Sequence, residues 1–305
     1  MTAPSTRPSC AIATIAATIG LTFASTAQAE GYLQPFIDGQ NNLHRNITGD
    51  DLDAFATTLR ESGRLVIDIE MENIVQCTAH APRCLRFHLV SAPNPDNRGW
   101  DIVAAVSKED YSNRWNTNRD RGYRPTDIET AQKHVVNAGG RGGTTRVYYA
   151  GLWVENRENL TWASFSEIDR DEFNKQFRER VRNGPMVLVD YEASGFNNRN
   201  VAAIFVRPRA DHRTSRWRPS ASEFASDASR VFSPDGGWPL YMRPGSTLDM
   251  TLRQDGVREA RVFTALNDQQ LENRLRAARN DGFQLVDIER NADKWLTVFL
   301  RRKQQ

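Results

Sequence analysis

Hydrophobic and polar positions along the chain follow two spacings that recur in the same order. Segments with apolar residues three and four positions apart predict helices, and they are followed by runs of alternating residues that predict half-buried strands. Each of the clearest predicted helices ends at a glycine, as expected where the backbone must turn left-handed. These glycines are Gly63, Gly122, Gly184 and Gly282. The pattern predicts an α+β protein.

The strand after each of these glycines is a near-copy of a single segment. The copies are residues 63–70, 122–129, 184–192 and 282–289. A unit that recurs in this way predicts a tandem-repeat architecture. We expect about five helix-plus-antiparallel-strand repeats in a domain of residues 50–305, with units near 50–107, 108–166, 167–220, 221–266 and 267–305. Residues 30–49 would form an N-terminal strand and linker.

The fifth unit lacks a third predicted strand, and this bears on the overall shape. If Tyr32–Ile37 supplied that strand, the array would close into a propeller-like ring without exposed edges. An open row of units is the alternative.

The N-terminal residues have the pattern of an export signal. Arg7 precedes an apolar run, Cys10–Phe23, and Ala27-Gln28-Ala29 has the small-x-small pattern of a cleavage site. We therefore expect residues 1–29 to be removed and the mature protein, from Glu30, to be secreted or periplasmic. A retained anchor is the alternative; after cleavage no membrane span is expected.

Composition is that of a globular protein and gives no strong electrostatic preference. Of the 305 residues, 40 are basic and 38 acidic, for a net charge of +2. Such a balance argues against a dedicated nucleic-acid binder.

Two cysteines remain after the signal, Cys77 and Cys84. An even pair in an exported protein predicts a disulfide. The competing interpretation takes Cys77, His80 and Cys84 as metal ligands, but no fourth ligand lies nearby in sequence. We therefore expect no metal site, and no cofactor.

The recurring strand carries an Asp-x-Glu pair, whose carboxylates share one face because side chains alternate. The pairs are Asp68/Glu70, Asp127/Glu129, Asp190/Glu192 and Asp287/Glu289. One interpretation is a ring of carboxylates around a channel, suited to cations or to acid/base chemistry on a glycan. The other, which we favour from sequence, is a solvated strand face opposite an apolar face that packs on the helix.

Tryptophans also recur at matched strand positions, which predicts that they lie in the core. They are Trp100, Trp153, Trp162, Trp217 and Trp295.

The most distinctive local chemistry is in the basic segment, residues 207–218, which contains five arginines, one tryptophan and a single acid. Arginine forks match phosphate and carboxylate groups, so this segment is a candidate binding site for an acidic polymer. Its candidate residues are Arg207, Arg209, Arg213, Arg216, Trp217 and Arg218; a solvated hairpin is the alternative.

Local enzyme signatures are missing from the sequence. It contains no Ser-x-x-Lys, Gly-x-Ser-x-Gly, His-Glu-x-x-His or Walker motif. No catalytic residue is therefore assigned, although a site assembled only by folding stays open.

The step Gly122-Tyr123-Arg124-Pro125, the Asp-x-Glu strand and the strand Tyr148–Trp153 resemble a bacterial tandem-repeat family. Its repeats are similar to those attached to β-lactamase-like serine hydrolases, including polyglycine hydrolases. The resemblance covers Asp50 to Arg302 and implies a secreted repeat module. In that family the hydrolase domain carries the nucleophile, so no catalytic residue carries over to this chain.

Together these patterns predict an exported, non-enzymatic scaffold that binds an extracellular or periplasmic polymer or protein. The alternative is a hydrolase acting on glycan or peptide through carboxylates such as Asp127 and Glu129. A pocket with two carboxylates would favour the hydrolase, and shallow grooves of Trp and Arg would favour binding.

Overall fold

The computed structural model describes residues 40–73, 85–136, 143–194, 200–207, 213–217, 230–232, 238–243, 249–254, 258–291 and 294–302. The signal segment, the strand expected at Tyr32–Ile37, and the cysteines Cys77 and Cys84 lie outside these ranges. None of the described helices has the length and apolar character of a membrane span.

The described residues form four α-helices and sixteen strands. The helices are α1 (Leu52–Glu61), α2 (Lys108–Asp120), α3 (Arg170–Phe177) and α4 (Asp268–Asn280), and a π-helical turn, Arg178–Arg182, continues α3. The first nine strands are β1 (Asn42–Thr48), β2 (Arg64–Asn73), β3 (Leu85–Pro93), β4 (Trp100–Val106), β5 (Tyr123–Val136), β6 (Gly143–Glu155), β7 (Trp162–Asp169), β8 (Val187–Ser194) and β9 (Asn200–Val206). The others are β10 (Arg213–Trp217), β11 (Arg230–Phe232), β12 (Trp238–Arg243), β13 (Asp249–Gln254), β14 (Arg258–Leu266), β15 (Gln284–Asn291) and β16 (Lys294–Arg302).

These strands pair into antiparallel sheets, numbered here in chain order. The first four have strand orders β1-β3-β2, β4-β6-β5, β7-β9-β8 and β10-β13-β12, and the fifth has the order β11-β14-β16-β15. In the first, second, third and fifth sheets the chain runs through a leading strand, a helix, an inner strand and a central strand. The central strand pairs with the other two. The mixed α+β class predicted from sequence is confirmed.

The sheets divide the chain differently from the units suggested by sequence. The first unit expected from sequence, residues 50–107, includes β4, whereas β4 pairs with β6 and is the leading strand of the second sheet. The helix between β4 and β5 carries the chain across, so both strands flank β6. Spacing along the chain does not reveal such pairing. The fifth sheet already has its leading strand, β14, and needs none from Tyr32–Ile37.

Three of the four helix-ending glycines have the expected conformation. Gly63, Gly122 and Gly282 have φ of 68°, 78° and 78°. In each, the glycine N–H donates to the carbonyl three residues earlier, at Arg60, Arg119 and Arg279. Gly184 differs because it follows the π-helical turn and lacks the left-handed φ.

Apolar clusters join neighbouring sheets, and a further cluster packs α3 against the third sheet. One cluster joins residues of α1 and β3 to Trp100 and Ile102 of β4, and another joins Phe299 of β16 to Val90 of β3. Trp100, Trp153 and Trp295 are buried, which confirms the core placement predicted for them. Trp162 is half-buried, and the side chain of Trp217 is not described.

Candidate functional site

The recurring carboxylates come together because the inner strands lie side by side. β15 packs beside β2, β2 beside β5, and β5 beside β8. Each inner strand shifts register immediately before its aspartate, between Val66 and Asp68 in β2 and between Pro125 and Asp127 in β5. The same shift precedes Asp190 and Asp287. A bulge bends the strand and re-aims the side chain that follows it.

These inner-strand carboxylates (Asp68, Glu70, Asp127, Glu129, Asp190, Glu192, Asp287 and Glu289) do not form a solvated face. Asp127 is 7% exposed and Glu129 is 5% exposed, Asp68 and Glu70 are similarly buried, and the remaining four are half-buried. The interpretation favoured from sequence is therefore wrong. Alternation marks a polar face, but it does not show whether water or another strand covers that face.

Each of three aspartates accepts a hydrogen bond from the backbone of the neighbouring sheet. Asp127 Oδ2 accepts from Ile69 N at 2.7 Å, and Asp190 Oδ2 accepts from Ile128 N at 2.7 Å. Asp68 Oδ2 accepts from Ile288 N at 3.2 Å, which joins the first sheet to the fifth. The donor is always the residue between the Asp and the Glu of the other strand. The repeated motif thus stabilises the contact of sheet with sheet.

Burial changes the acid–base properties of these groups. Removal from water, and next the charge of Asp190, raise the pKa of Asp127 well above its usual value. Burial followed by neighbouring carboxylates, first among them Glu192, likewise raises the pKa of Glu129. Buried carboxylic acids close to one another favour the neutral form because ionisation would leave like charges in a medium of low polarity.

The pKa values of Asp68 and Asp287 depend on each other. Burial and the charge of Asp287 raise the pKa of Asp68, and a side-chain hydrogen bond joins the two groups. Burial raises the pKa of Asp287 to about 6, while its hydrogen bond with Asp68 opposes that rise. Two close carboxyl groups hold one proton in this way because both cannot ionise without repulsion.

The fourth sheet departs from the acidic pattern. Its inner strand β12 shifts register between Pro239 and Tyr241, as the other inner strands do before their aspartates. By this register Tyr241 and Arg243 occupy the positions held elsewhere by Asp and Glu. The acidic motif is thus present in four of the five sheets.

Across the part of the chain that the structure describes, no three His, Cys, Asp or Glu side chains are arranged to hold a metal ion.

A separate cleft of about 420 Å³ lies between β1 and α4. Asn42–Arg45 line one side, and residues of α4 that include Glu272, Leu275, Arg276 and Arg279 line the other. Glu272 is the one carboxylate among the lining residues, and it pairs with Arg45. A polar cleft with one paired acid and two further arginines is suited to binding an anion.

The arginines proposed from sequence are only partly placed. Arg207 is exposed just after β9, and its backbone N–H donates to the carbonyl of Thr161 at 2.8 Å. Arg213, Arg216 and Trp217 belong to β10, which pairs with β13, so this part is a strand rather than a loop. The side chains of β10 are not described, and Arg209 and Arg218 lie outside the described residues.

The cleft residues Arg45, Arg276 and Arg279 are absent from the sequence-based assignment. The signal that could have found Arg279 is its position three residues before Gly282, which Arg60 and Arg119 share relative to their own glycines. β1 was missed because Asn42, His44, Arg45 and Asn46 make it polar for a strand.

Comparison with protein families identifies one segment of the chain. Residues 97–156 match the model of the polyglycine hydrolase-like structural repeat. This match confirms the resemblance to a repeat family, and it covers β4, α2, β5 and β6, which are the strands and helix of the second sheet. No curated protein matches the chain.

Proposed function

We propose that the protein, which contains a polyglycine hydrolase-like structural repeat, is an exported and non-enzymatic scaffold. It binds an acidic extracellular or periplasmic polymer, or a protein with acidic groups, through cationic surfaces. Its five sheets are five repeat units closed into a propeller-like ring, and the carboxylates of the inner strands hold that ring together.

Ring closure is supported by the contacts between sheets. The inner strands are in contact from β15 to β2, β5, β8 and β12, and β12 contacts β14 of the fifth sheet. The hydrogen bond from Ile288 to Asp68 joins the fifth and first sheets as the bond from Ile69 to Asp127 joins the first and second. The two ends of the described chain therefore meet through the contact used elsewhere between consecutive sheets.

The observation that carries the non-enzymatic role is the use of the carboxylates within the fold. A glycosidase needs two carboxyl groups about 5 to 10 Å apart that flank a bound substrate. Asp127 and Glu129 are instead buried, and Asp127 is hydrogen-bonded to the backbone of Ile69. Four similar pairs also favour architecture, because catalysis requires one asymmetric site.

Binding is supported by the distribution of cations. The cleft between β1 and α4 presents Arg276 and Arg279 to solvent, and Arg207 is exposed after β9. Since the net charge is only +2, attraction of an acidic ligand depends on such local groups.

The proposal is tested with the mature chain, from Glu30, passed over immobilised polygalacturonate and over neutral dextran, and applied to secreted-protein fractions. We expect retention on acidic material that weakens as salt is raised, because exposed charge pairs are screened. Passage through every matrix without retention would overturn the binding role.

The same preparation is incubated with glycan and peptide substrates, and new reducing ends and amines are measured. We expect no turnover. Hydrolysis that disappears in Asp127→Asn/Glu129→Gln would instead establish the hydrolase alternative.

The double variant Arg216→Ala/Arg218→Ala tests the basic segment. If this segment binds the acidic polymer, the variant is retained less strongly than the wild type on the acidic matrix.

A further inference from the structure

Three arginines occupy the same position at the ends of different helices. Arg60 of α1, Arg119 of α2 and Arg279 of α4 each lie three residues before a left-handed glycine and accept that glycine's N–H on their carbonyl. The three side chains therefore leave the chain from equivalent points.

At the contact between the first and second sheets, the arginine has two partners from the next leading strand. The Arg60 guanidinium lies 4.3 Å from the ring centroid of Trp100 and 3.9 Å from Asp101 Oδ1. The Trp100 indole in turn donates to the carbonyl of Arg64 at 3.1 Å. An aromatic face and a carboxylate are the two groups that an arginine prefers.

The contact between the fifth and first sheets lacks both partners. β1 and β4 shift register at matching places, between His44 and Ile47 and between Val103 and Val106. Asn46 and Ala105, one residue before the end of each shift, have positive φ. This alignment places Asn41 where β4 begins with Trp100, and Asn42 where β4 has Asp101.

The chain at the start of β1 therefore carries asparagines in place of the Trp and Asp of β4. Asn41 is buried, and its side-chain amide donates to the carbonyl of Leu285 at 2.7 Å, so it lies against β15. Arg279, the equivalent of Arg60, instead lines the cleft of about 420 Å³, whose other wall begins at Asn42. A cavity of this size is within the range of ligand sites.

Two positive charges in the cleft have no acidic partner among the described residues. Glu272 is engaged by Arg45, which also bonds Asp268 at 3.2 Å. The exposed guanidinium groups of Arg276 and Arg279 make no ion pair or hydrogen bond with other described side chains. Leu43 and Leu275 add apolar surface to the lining.

We propose that the cleft between β1 and α4 binds a peptide segment of a partner protein in which an aromatic residue is followed by an acid. The ring lies under the Arg279 guanidinium, and the carboxylate pairs with Arg279 and Arg276. The peptide thus supplies what Trp100 and Asp101 supply to Arg60. This site rests on the proposed function and names the chemistry of one partner.

The probe is a fluorescein-labelled peptide with the sequence of residues 99–103, Gly-Trp-Asp-Ile-Val, titrated with the mature chain and followed by anisotropy. Replacing its Asp by Asn is expected to weaken binding about tenfold, since a charge-assisted pair is lost. Replacing its Trp by Ala is expected to abolish measurable binding. Equal binding of all three peptides would overturn the proposal.

Arg279→Gln on the protein is expected to weaken the parent peptide about tenfold and to have little further effect on the Asn peptide, because the same pair is already absent. Arg170→Gln, at an exposed arginine of α3, is the matched control and should bind as the wild type does. Equal affinity of Arg279→Gln and Arg170→Gln would contradict the site. Retention of the wild-type chain on polygalacturonate without any peptide binding would overturn this inference and leave the proposed function standing.

Discussion

Asp127 Oδ2 accepts a hydrogen bond of 2.7 Å from the backbone N–H of Ile69, across the boundary between the second and first sheets. The acceptor is a buried carboxyl group and the donor is a backbone amide, which does not titrate. Asp190 and Asp68 make the equivalent contact with Ile128 and Ile288, so this relationship accounts for three of the four recurring aspartates.

Removing this acceptor should destabilise the protein. Asp127→Ala leaves the buried N–H of Ile69 without its partner, and we expect a loss of about 1–3 kcal/mol in the free energy of unfolding, measured with urea. Asp127→Asn retains a carbonyl acceptor and should cost less. Glu61→Ala, at an exposed acid, serves as the control. Equal stability of Asp127→Ala and the control would contradict the role of this contact.

The raised pKa values predict a protein whose inner strands are stabilised by acid. Asp287 ionises at about 6 when folded against 3.8 otherwise, so folding takes up a proton between these values. This contribution is complete below about pH 4 and is lost as pH rises through 6, and it amounts to on the order of 3 kcal/mol.

The test compares urea unfolding of the wild type and Asp287→Asn at intervals between pH 4 and 8. Subtracting the stability of the variant from that of the wild type at each pH cancels the contribution of groups that both proteins share. Glu155 is one of them, and its pKa shifts the other way, because it is lowered chiefly by its hydrogen bond with Arg157. The wild type should lose more stability than the variant as pH rises. Parallel curves would show that Asp287 does not bind this proton.

A buried ion pair joins two loops at the edge of the second sheet. Arg98 precedes β4 and Glu158 follows β6; both side chains are buried and form two hydrogen bonds. Burial would raise the pKa of Glu158, but the hydrogen bond and charge of Arg98 hold it below its usual value.

Breaking this pair on one side should be more costly than replacing it. Arg98→Met leaves Glu158 buried without its partner, and about 3–5 kcal/mol of stability should be lost. The double variant Arg98→Met/Glu158→Leu should recover most of that loss, as measured by thermal and urea unfolding. A double variant less stable than the single one would mean that the two side chains do not compensate each other.

Replacing the helix-ending glycines Gly122 and Gly184 should destabilise the protein for different reasons. At Gly122 the reason is backbone conformation, and at Gly184 it is steric crowding. At Gly122, φ is 78° and an added Cβ would meet nothing within 4 Å, so Gly122→Ala should cost only the left-handed strain, about 1–2 kcal/mol. Gly122→Asn should cost less, because asparagine tolerates this conformation.

At Gly184 an added Cβ would lie 2.6 Å from the carbonyl oxygen of Arg180. Gly184→Ala should therefore destabilise more than Gly122→Ala in the same urea experiment, and an asparagine there should give no relief. The reverse order of the two alanine variants would contradict the structural difference between the two helix ends.

The elements with strong local signals were predicted from sequence nearly to the residue. α2 begins at Lys108, where the second unit was expected to begin, because Ser107 caps it. Pairing of β4 with β6 could not be predicted, since both possible partners have the same pattern. The burial of Asp127 was also missed, because a polar face that packs on another strand has the same alternation as one in water.

The candidate cleft could be predicted still less. Arg276 and Arg279 come from α4 and the other wall from the polar strand β1, and the two elements are more than 200 residues apart in the chain. The kind of ligand expected in the cleft follows from comparing Arg279 with Arg60, which ends an equivalent helix and contacts an aromatic ring and a carboxylate.

The central claim is that Asp68, Asp127 and Asp190 of the inner strands each join their sheet to a neighbouring one, including the first to the fifth. Amide hydrogen exchange of Ile288 in Asp68→Ala tests it most directly, with Ile69 as the internal reference. The account predicts that Ile288 exchanges roughly tenfold faster or more than in the wild type, because its acceptor is gone, and that Ile69 changes much less. An unchanged rate at Ile288, or the same acceleration at both amides, would contradict it.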